Sequence, residues 1–257
     1  ELRDVYFSGL RKSLIESAEE SNIELSFCKN ADEVDVEKTD GIIAVGRFLS
    51  AELEKMKQLG IQVLFVDSNP DPHEFNSIQP NLQMMVETAI DYFVQAGYQK
   101  IGFIGGRSWD STEGRHVLRD TRTRCFESRA RELGLFNQNY VFIGDNFSVD
   151  SGYQVGREIV GKIRDDLPQA FLVASDPLAV GVLQAFNENR LTVPDDVSMI
   201  SINDIDIAKY VSPPLTTFRI DTEELGKVAI ETLRNLIVSP KKSRRMILLD
   251  ADLVFRK

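Results

Sequence analysis

Histidine and cysteine are scarce in this chain, two of each in 257 residues, and tryptophan occurs once. Neither His73 nor His116 has a second His, Cys or carboxylate at metal-ligand spacing, which argues against a zinc site. No Gly-x-Ser-x-Gly elbow is present and no Cys–His neighbourhood is suggested, so hydrolase-type nucleophilic catalysis has no footing. His73 stands in the turn Asp71-Pro72-His73 and His116 in a polar segment, and both read as solvated. Cys28 and Cys125 lie far apart and read as free, buried thiols, which suits a reducing compartment. Apolar runs of about 18 residues are missing, as is a charged start followed by an apolar core. Neither a membrane span nor a secretion signal is therefore expected, and the expected location is cytoplasmic.

An excess of positive charge is also lacking. Asp and Glu number 40 against 30 Lys and Arg, a formal charge of −10. Surfaces that grip nucleic acid carry a basic patch or stripe. The densest basic run here, Lys241-Lys242-Ser243-Arg244-Arg245, is short and borders an expected strand. Taken alone, this chain is not expected to bind DNA or RNA.

What is present is an alternation of short apolar runs with amphipathic stretches. Strands are expected at Ile23–Cys28, Gly41–Val45, Gln62–Val66, Lys100–Ile104, Tyr140–Ile143, Ala170–Ala174 and Val197–Ile202. Several are continuous rather than alternating, as in central parallel strands buried on both faces. Helices are expected at Ala51–Leu59 behind Ser50, around Met84–Val94 up to Gly97, and from Ser148 through Ile163. Two more run from Asp176-Pro177 through Asn189 and from Thr222 to Ile237. Repeated strand–helix units imply α/β architecture with doubly wound parallel sheet, whose ligands sit at the carboxyl ends of strands.

Enzyme motifs fail individually. The stretch Gly102-Phe103-Ile104-Gly105-Gly106 lacks the Gly-x-Gly-x-x-Gly spacing and leads into charged residues, so it reads as a structural turn. Nothing places a partner opposite the pair Asp204/Asp206, and Asp165-Asp166 reads as solvated. No nucleophile, base and orienting group assemble. No catalytic residue, metal or cofactor is assigned.

The most specific stretch begins with Ala174-Ser175-Asp176-Pro177-Leu178-Ala179-Val180-Gly181 and Val193-Pro194-Asp195-Asp196-Val197-Ser198. It continues through Ile202-Asn203-Asp204-Ile205 to Pro213-Pro214-Leu215-Thr216-Thr217. Upstream lie Gly97-Tyr98-Gln99-Lys100-Ile101-Gly102-Phe103-Ile104-Gly105-Gly106, Arg122-x-x-x-Phe126 and Glu132-Leu133-Gly134-Leu135. In this order and across essentially the whole chain, these motifs resemble the effector-binding core of the lactose-repressor/galactose-repressor (LacI/GalR) family. The resemblance implies two α/β subdomains of the periplasmic-binding-protein type I kind, joined by three crossovers, with the ligand in a cleft. The expected division is 1–105 plus 220–238 against 106–219 plus 239–257. The family's helix-turn-helix headpiece is absent from this chain, which starts after what resembles the family's first core strand.

Carried over by position, the resemblance implies six effector-binding residues. Arg122 matches a ligand-gripping arginine whose planar fork bridges adjacent hydroxyls; the alternative is a surface pair with Asp120 or Glu127. Asn203, where the family often has Asp, can donate to and accept from hydroxyls, or simply form a turn. Phe147 matches an aromatic that covers a pyranose face, or is a core contact. Ser175 faces the cleft or caps a helix, Asp67 is a strand-end polar group or a turn former, and Asp204 belongs to cleft or hinge.

The implied function is sugar sensing for a DNA-binding regulator. It would be a repressor of a carbohydrate-utilisation operon with a galactose-like sugar or galactoside as effector. The implied partners are that sugar, operator DNA through the separate headpiece, and a second copy in a homodimer. Two other classes stay open: a periplasmic or secreted sugar-binding protein of a transporter, and an α/β enzyme acting on a sugar or nucleotide. A signal peptide upstream would favour the first and measurable turnover the second.

Overall fold

A computed structural model describes residues 5–110, 115–117, 120–240 and 243–256, with side chains described at all of these except 108–110 and 115–117. In chain order the elements begin with α1 (Val5–Glu20), β1 (Gly41–Val45), α2 (Ser50–Gln58), β2 (Gln62–Val66), β3 (Asn76–Pro80) and α3 (Leu82–Gln95). Next come β4 (Ile101–Gly106), β5 (Ser108–Asp110), β6 (Arg115–Val117), α4 (Thr121–Glu132), β7 (Val141–Gly144) and α5 (Val149–Ile163). Then follow β8 (Ala170–Val173), α6 (Asp176–Glu188), β9 (Ser198–Asn203), the short α7 (Ile207–Tyr210) and β10 (Thr216–Arg219). The chain ends with α8 (Thr222–Val238), β11 (Met246–Leu249) and β12 (Asp252–Val254).

The chain divides into two units, 1–80 with 109–115 and 221–249, and 81–108 with 116–220 and 250–257. Apart from the 109–115 excursion, it passes from one to the other three times. The boundaries differ from those expected, and strand pairing explains why. The Ile101–Gly106 run, expected in the first unit, pairs with β7 and β8 of the second. Residues 246–249, expected in the second, pair with β3 of the first. An apolar run shows that a strand is buried but not which sheet takes it.

The first unit is a four-stranded parallel sheet in the order β1-β2-β3-β11. Leu64, Phe65 and Val66 of its central β2 are fully buried. Helix α1 turns Leu10, Leu14 and Ala18 inward against α8, where Ser13 Oγ donates to the Glu223 carbonyl at 2.8 Å. The segment Ile23–Cys28 is not a strand: no neighbour pairs with it among the described residues, and Arg11 lies over the Phe27 ring at 4.3 Å instead. Cys28 is consequently exposed rather than buried, while Cys125 is half-buried; both are free.

The second unit is a six-stranded sheet in the order β12-β10-β9-β8-β4-β7, parallel except for β12. Its centre is apolar throughout, with Phe103, Ile104, Phe171, Leu172 and Val173 fully buried. Helices start where the capping chemistry directs. Asn81 Oδ1 accepts from Met84 N at 3.3 Å, and Ser148 Oγ from Ser151 N at 3.2 Å. Ser50, expected as a cap, is instead the first residue of α2 behind Leu49. Helices α5 and α6 pack closely because Gly152 and Gly181 face each other's backbone: a Cβ on Gly181 would lie 2.0 Å from the Val149 carbonyl oxygen.

Candidate functional site

The polar groups of interest gather where strands of the second unit end. In a parallel sheet these carboxyl ends share one edge. Ser175 follows β8 and Asn203 ends β9, and carrying the Leu172–Ile200 pairing three residues on brings the two alongside. Phe147 stands three residues past the end of β7.

Arg122 is the anchor of this edge. It lies in the first turn of α4, whose N-cap is Asp120. Asp120 Oδ1 accepts from Thr123 N at 3.0 Å, while its Oδ2 accepts from Arg122 Nε at 2.7 Å and lies 2.6 Å from Nη2. Arg122 Nη1 donates to the Ala174 carbonyl at 2.8 Å, and the guanidinium lies 4.4 Å from the centre of the Phe147 ring. The side chains of Arg122 and Asp120 are 13% and 8% exposed. Arg122 is thus not a surface residue with a chance partner but a preset fork. Burial pushes the Asp120 carboxyl up, but the Arg122 charge and the bonds from Thr123 outweigh it and hold it below its ordinary value. Asp120 was visible in sequence only as a possible partner; its double role as cap and anchor follows from the Asp-x-x-Thr spacing at the helix start.

Ser175 is 3% exposed, and its hydroxyl has no hydrogen-bond partner among the described residues. It stands at the N-cap position of α6 without making the side-chain cap bond. A buried hydroxyl left unpaired costs about 1–3 kcal/mol, so such a group is what a ligand would satisfy. Asn203 has φ of 120°, and among the described residues its side-chain amide makes no hydrogen bond.

Asp204 does not belong with these groups. Its side chain is 1% exposed, with one oxygen 2.8 Å from Arg219 Nε and the other 2.5 Å from Arg256 Nη2. Both oxygens are occupied in bracing β10 and the C-terminal segment, which removes Asp204 from the effector-contacting set.

Sequence inspection missed Asp176. It is fully buried, and its carboxylate accepts from Ser201 Oγ at 2.5 Å, Thr217 Oγ1 at 2.7 Å and Ile205 N at 2.8 Å. Burial raises its pKa to about 6, against the pull of these three bonds and with a contribution from the Asp204 charge. The folded protein therefore holds this proton more tightly than the unfolded chain. The resulting stability is present below the ordinary carboxylate pKa and lost as pH rises through about 6. Relative to Asp176→Asn, which keeps the shape but does not titrate, the parent should lose roughly 2–3 kcal/mol between about pH 4 and pH 7. Urea unfolding of the pair across that range checks this, and a constant difference would contradict it.

In the first unit, Asp67 follows β2 with φ of 69° and accepts from Tyr6 Oη at 2.6 Å. Nearby in sequence, Asn69 donates to Ser77 Oγ at 2.9 Å while its own Oδ1 is buried without a partner. Asn69 had no sequence signal beyond being a polar residue after a strand. His73 is exposed as expected, whereas the His116 side chain lies outside the described residues, as do Lys241 and Lys242 of the basic run. No cluster of three His, Cys, Asp or Glu that could hold a metal ion occurs among the described residues, and no helix there is long and apolar enough to cross a membrane.

Parallel sheets flanked by helices, with polar groups gathered at strand ends, define a periplasmic-binding-protein-like core. Residues 90–257 match the family model described as a periplasmic binding protein-like domain. The HTH-type transcriptional regulator GanR of Bacillus subtilis (strain 168) is 38% identical over 259 residues, covering 100% of this chain and 78% of GanR. The HTH-type transcriptional regulator LacR of Lactobacillus helveticus is 37% identical over 262 residues, covering 100% and 77%. Among solved structures, the LacI family regulator CCPA from Weissella paramesenteroides, with bound sucrose, shares the fold at a TM-score of 0.82 and 18% identity, covering 99% of this chain and 94% of that one. The chain belongs to the LacI/GalR family of transcriptional regulators.

Proposed function

We propose that this chain is the effector-sensing core of a repressor of carbohydrate utilisation, with a galactose-like sugar or galactoside as effector. The observation that carries the proposal is the unpartnered buried Ser175 hydroxyl beside Arg122, a fork already fixed by Asp120 and the Ala174 carbonyl. A sugar offers adjacent hydroxyls that both donate and accept. Remaining guanidinium N–H groups, the Ser175 hydroxyl and the Asn203 amide match that chemistry. Phe147, already stacked on Arg122, supplies apolar surface for a pyranose face. Asp67, by analogy a strand-end polar group of the first unit, is the remaining proposed contact. The sucrose carried by the Weissella neighbour supports a sugar as ligand class, and the Ile202-Asn203-Asp204-Ile205 stretch supports the galactose type.

In this reading the chain acts as a homodimer, and DNA is contacted by a helix-turn-helix outside the residues described. An effector that binds one conformation better shifts the population toward it, by no more than its affinity difference between the two. Catalysis has no place in this scheme. Regulators that match over the full chain weigh against a transporter's binding protein. Calorimetric titration with a panel of mono- and disaccharides should give heat with galactose or a galactoside. A dimer, verified as folded by sedimentation and circular dichroism, that binds no sugar in the panel would end this reading.

A further inference from the structure

Two consecutive non-glycine residues with positive φ stand at the end of β9, Asn203 at 120° and Asp204 at 55°. Such conformations cost of order 1–3 kcal/mol each and persist only where the surroundings over-determine them. Here the turn is pinned from several sides. The Asn203 carbonyl accepts from Ile220 N at 3.4 Å, and Asp204 N donates to Thr217 Oγ1 at 3.4 Å. The Asp204 carboxylate is clamped by Arg219 and Arg256, and Ile205 N donates to Asp176 at 2.8 Å. Three of these ties converge on one group. Asp176 holds Ile205 directly, holds the Thr217 hydroxyl that receives Asp204 N, and fastens Ser201 two residues before the turn. Asp176 also directly follows Ser175.

We propose that Asp176 is a positioning residue of the effector site: its buried carboxylate locks the strained Asn203–Asp204 turn to the Ser175 strand end and so decides which sugar stereoisomers are accepted. This rests on the sugar-sensing reading above. The carboxylate itself touches no effector in this scheme. It holds two strand ends that carry free polar groups, and hydrogen-bond recognition of hydroxyls is sensitive to their placement.

The test compares Asp176→Ala with the parent in two measurements. Affinities for galactose, its epimers and matching galactosides give a selectivity ratio. Loss of folded protein alone would lower all affinities in parallel and leave that ratio unchanged. Misplacement of Asn203 should change the ratio by about tenfold, the worth of one hydrogen bond to a displaced group. Amide hydrogen exchange in the ligand-free protein is the second measurement. The Ile205 amide should exchange about tenfold faster or more, while amides of β4 and β7 keep their protection.

A folded Asp176→Ala protein with the parent's ratio and the parent's Ile205 exchange would overturn the proposal, as would parallel losses of affinity with unchanged exchange. Should Asp176→Ala fail to fold, Thr217→Val, which removes one tie at constant shape, is read by the same two measurements with a smaller expected shift. If the parent binds no sugar in the panel, the sugar reading falls, and exchange at Ile205 still decides whether Asp176 holds the turn.

Discussion

Replacing Arg122 with alanine should lower sugar affinity by at least about 100-fold, since charge-assisted hydrogen bonds to two hydroxyls are each worth roughly 1.5–3 kcal/mol. The same change removes the partner of Asp120, which is 8% exposed. A buried carboxylate left without its cation costs about 3–5 kcal/mol, so Arg122→Ala should also unfold at a lower temperature. Arg122→Lys separates the two effects. An ammonium keeps the charge beside Asp120 but cannot reproduce the fork that spans Asp120, Ala174 and a ligand. It should restore most of the stability and little of the affinity. Calorimetry and thermal unfolding on the three proteins provide the check. A folded Arg122→Ala protein with undiminished affinity would remove Arg122 from the proposed site.

Gly181→Ala should be more damaging to the fold than any surface substitution. Its new Cβ would lie 2.0 Å from the Val149 carbonyl oxygen and 2.4 Å from Tyr153 N, both backbone atoms of α5. Backbone cannot rotate aside as a side-chain tip does, so the two helices must separate. Overpacking of this kind costs about 3 kcal/mol or more, a fall in Tm of roughly 6–12 °C for a domain of this size. Gly161, also in α5, is the control. A Cβ there meets nothing within 4 Å. Gly161→Ala should therefore stabilise by up to about 1 kcal/mol through helix propensity alone. Equal effects at the two positions would show that α5 and α6 are not held at this distance in solution.

The core of the second unit was legible because its strands are buried on both faces, so Ile101–Ile104 and Ala170–Ala174 are continuous apolar runs. β3 was not legible. Its Asn76 and Ser77 are buried polar residues, 4% and 1% exposed, compensated by bonds to partners such as Arg245 and Asn69 that sequence does not bring together. α1 went unrecognised because serines and Gly9 dilute its apolar stripe, and Ser13 is accommodated only by the distant Glu223 carbonyl. At the site, Arg122, Ser175 and Asn203 could be read from their place in ordered motifs. The withdrawal of Asp204 could not, because Arg219 and Arg256 lie 15 and 52 residues away. Asp176 escaped for the same reason, its donors coming from β9, β10 and the loop between β9 and α7.

Asp120 serves two structures with one carboxylate, the start of α4 through Thr123 and the orientation of Arg122. Natural variation is therefore channelled. A substitution at Asp120 perturbs folding and recognition together, whereas Phe147, Ser175 and Asn203 carry no comparable second duty. New ligand preferences in descendants of this sequence should accumulate at those three positions, leaving the arginine and its carboxylate as inherited hardware.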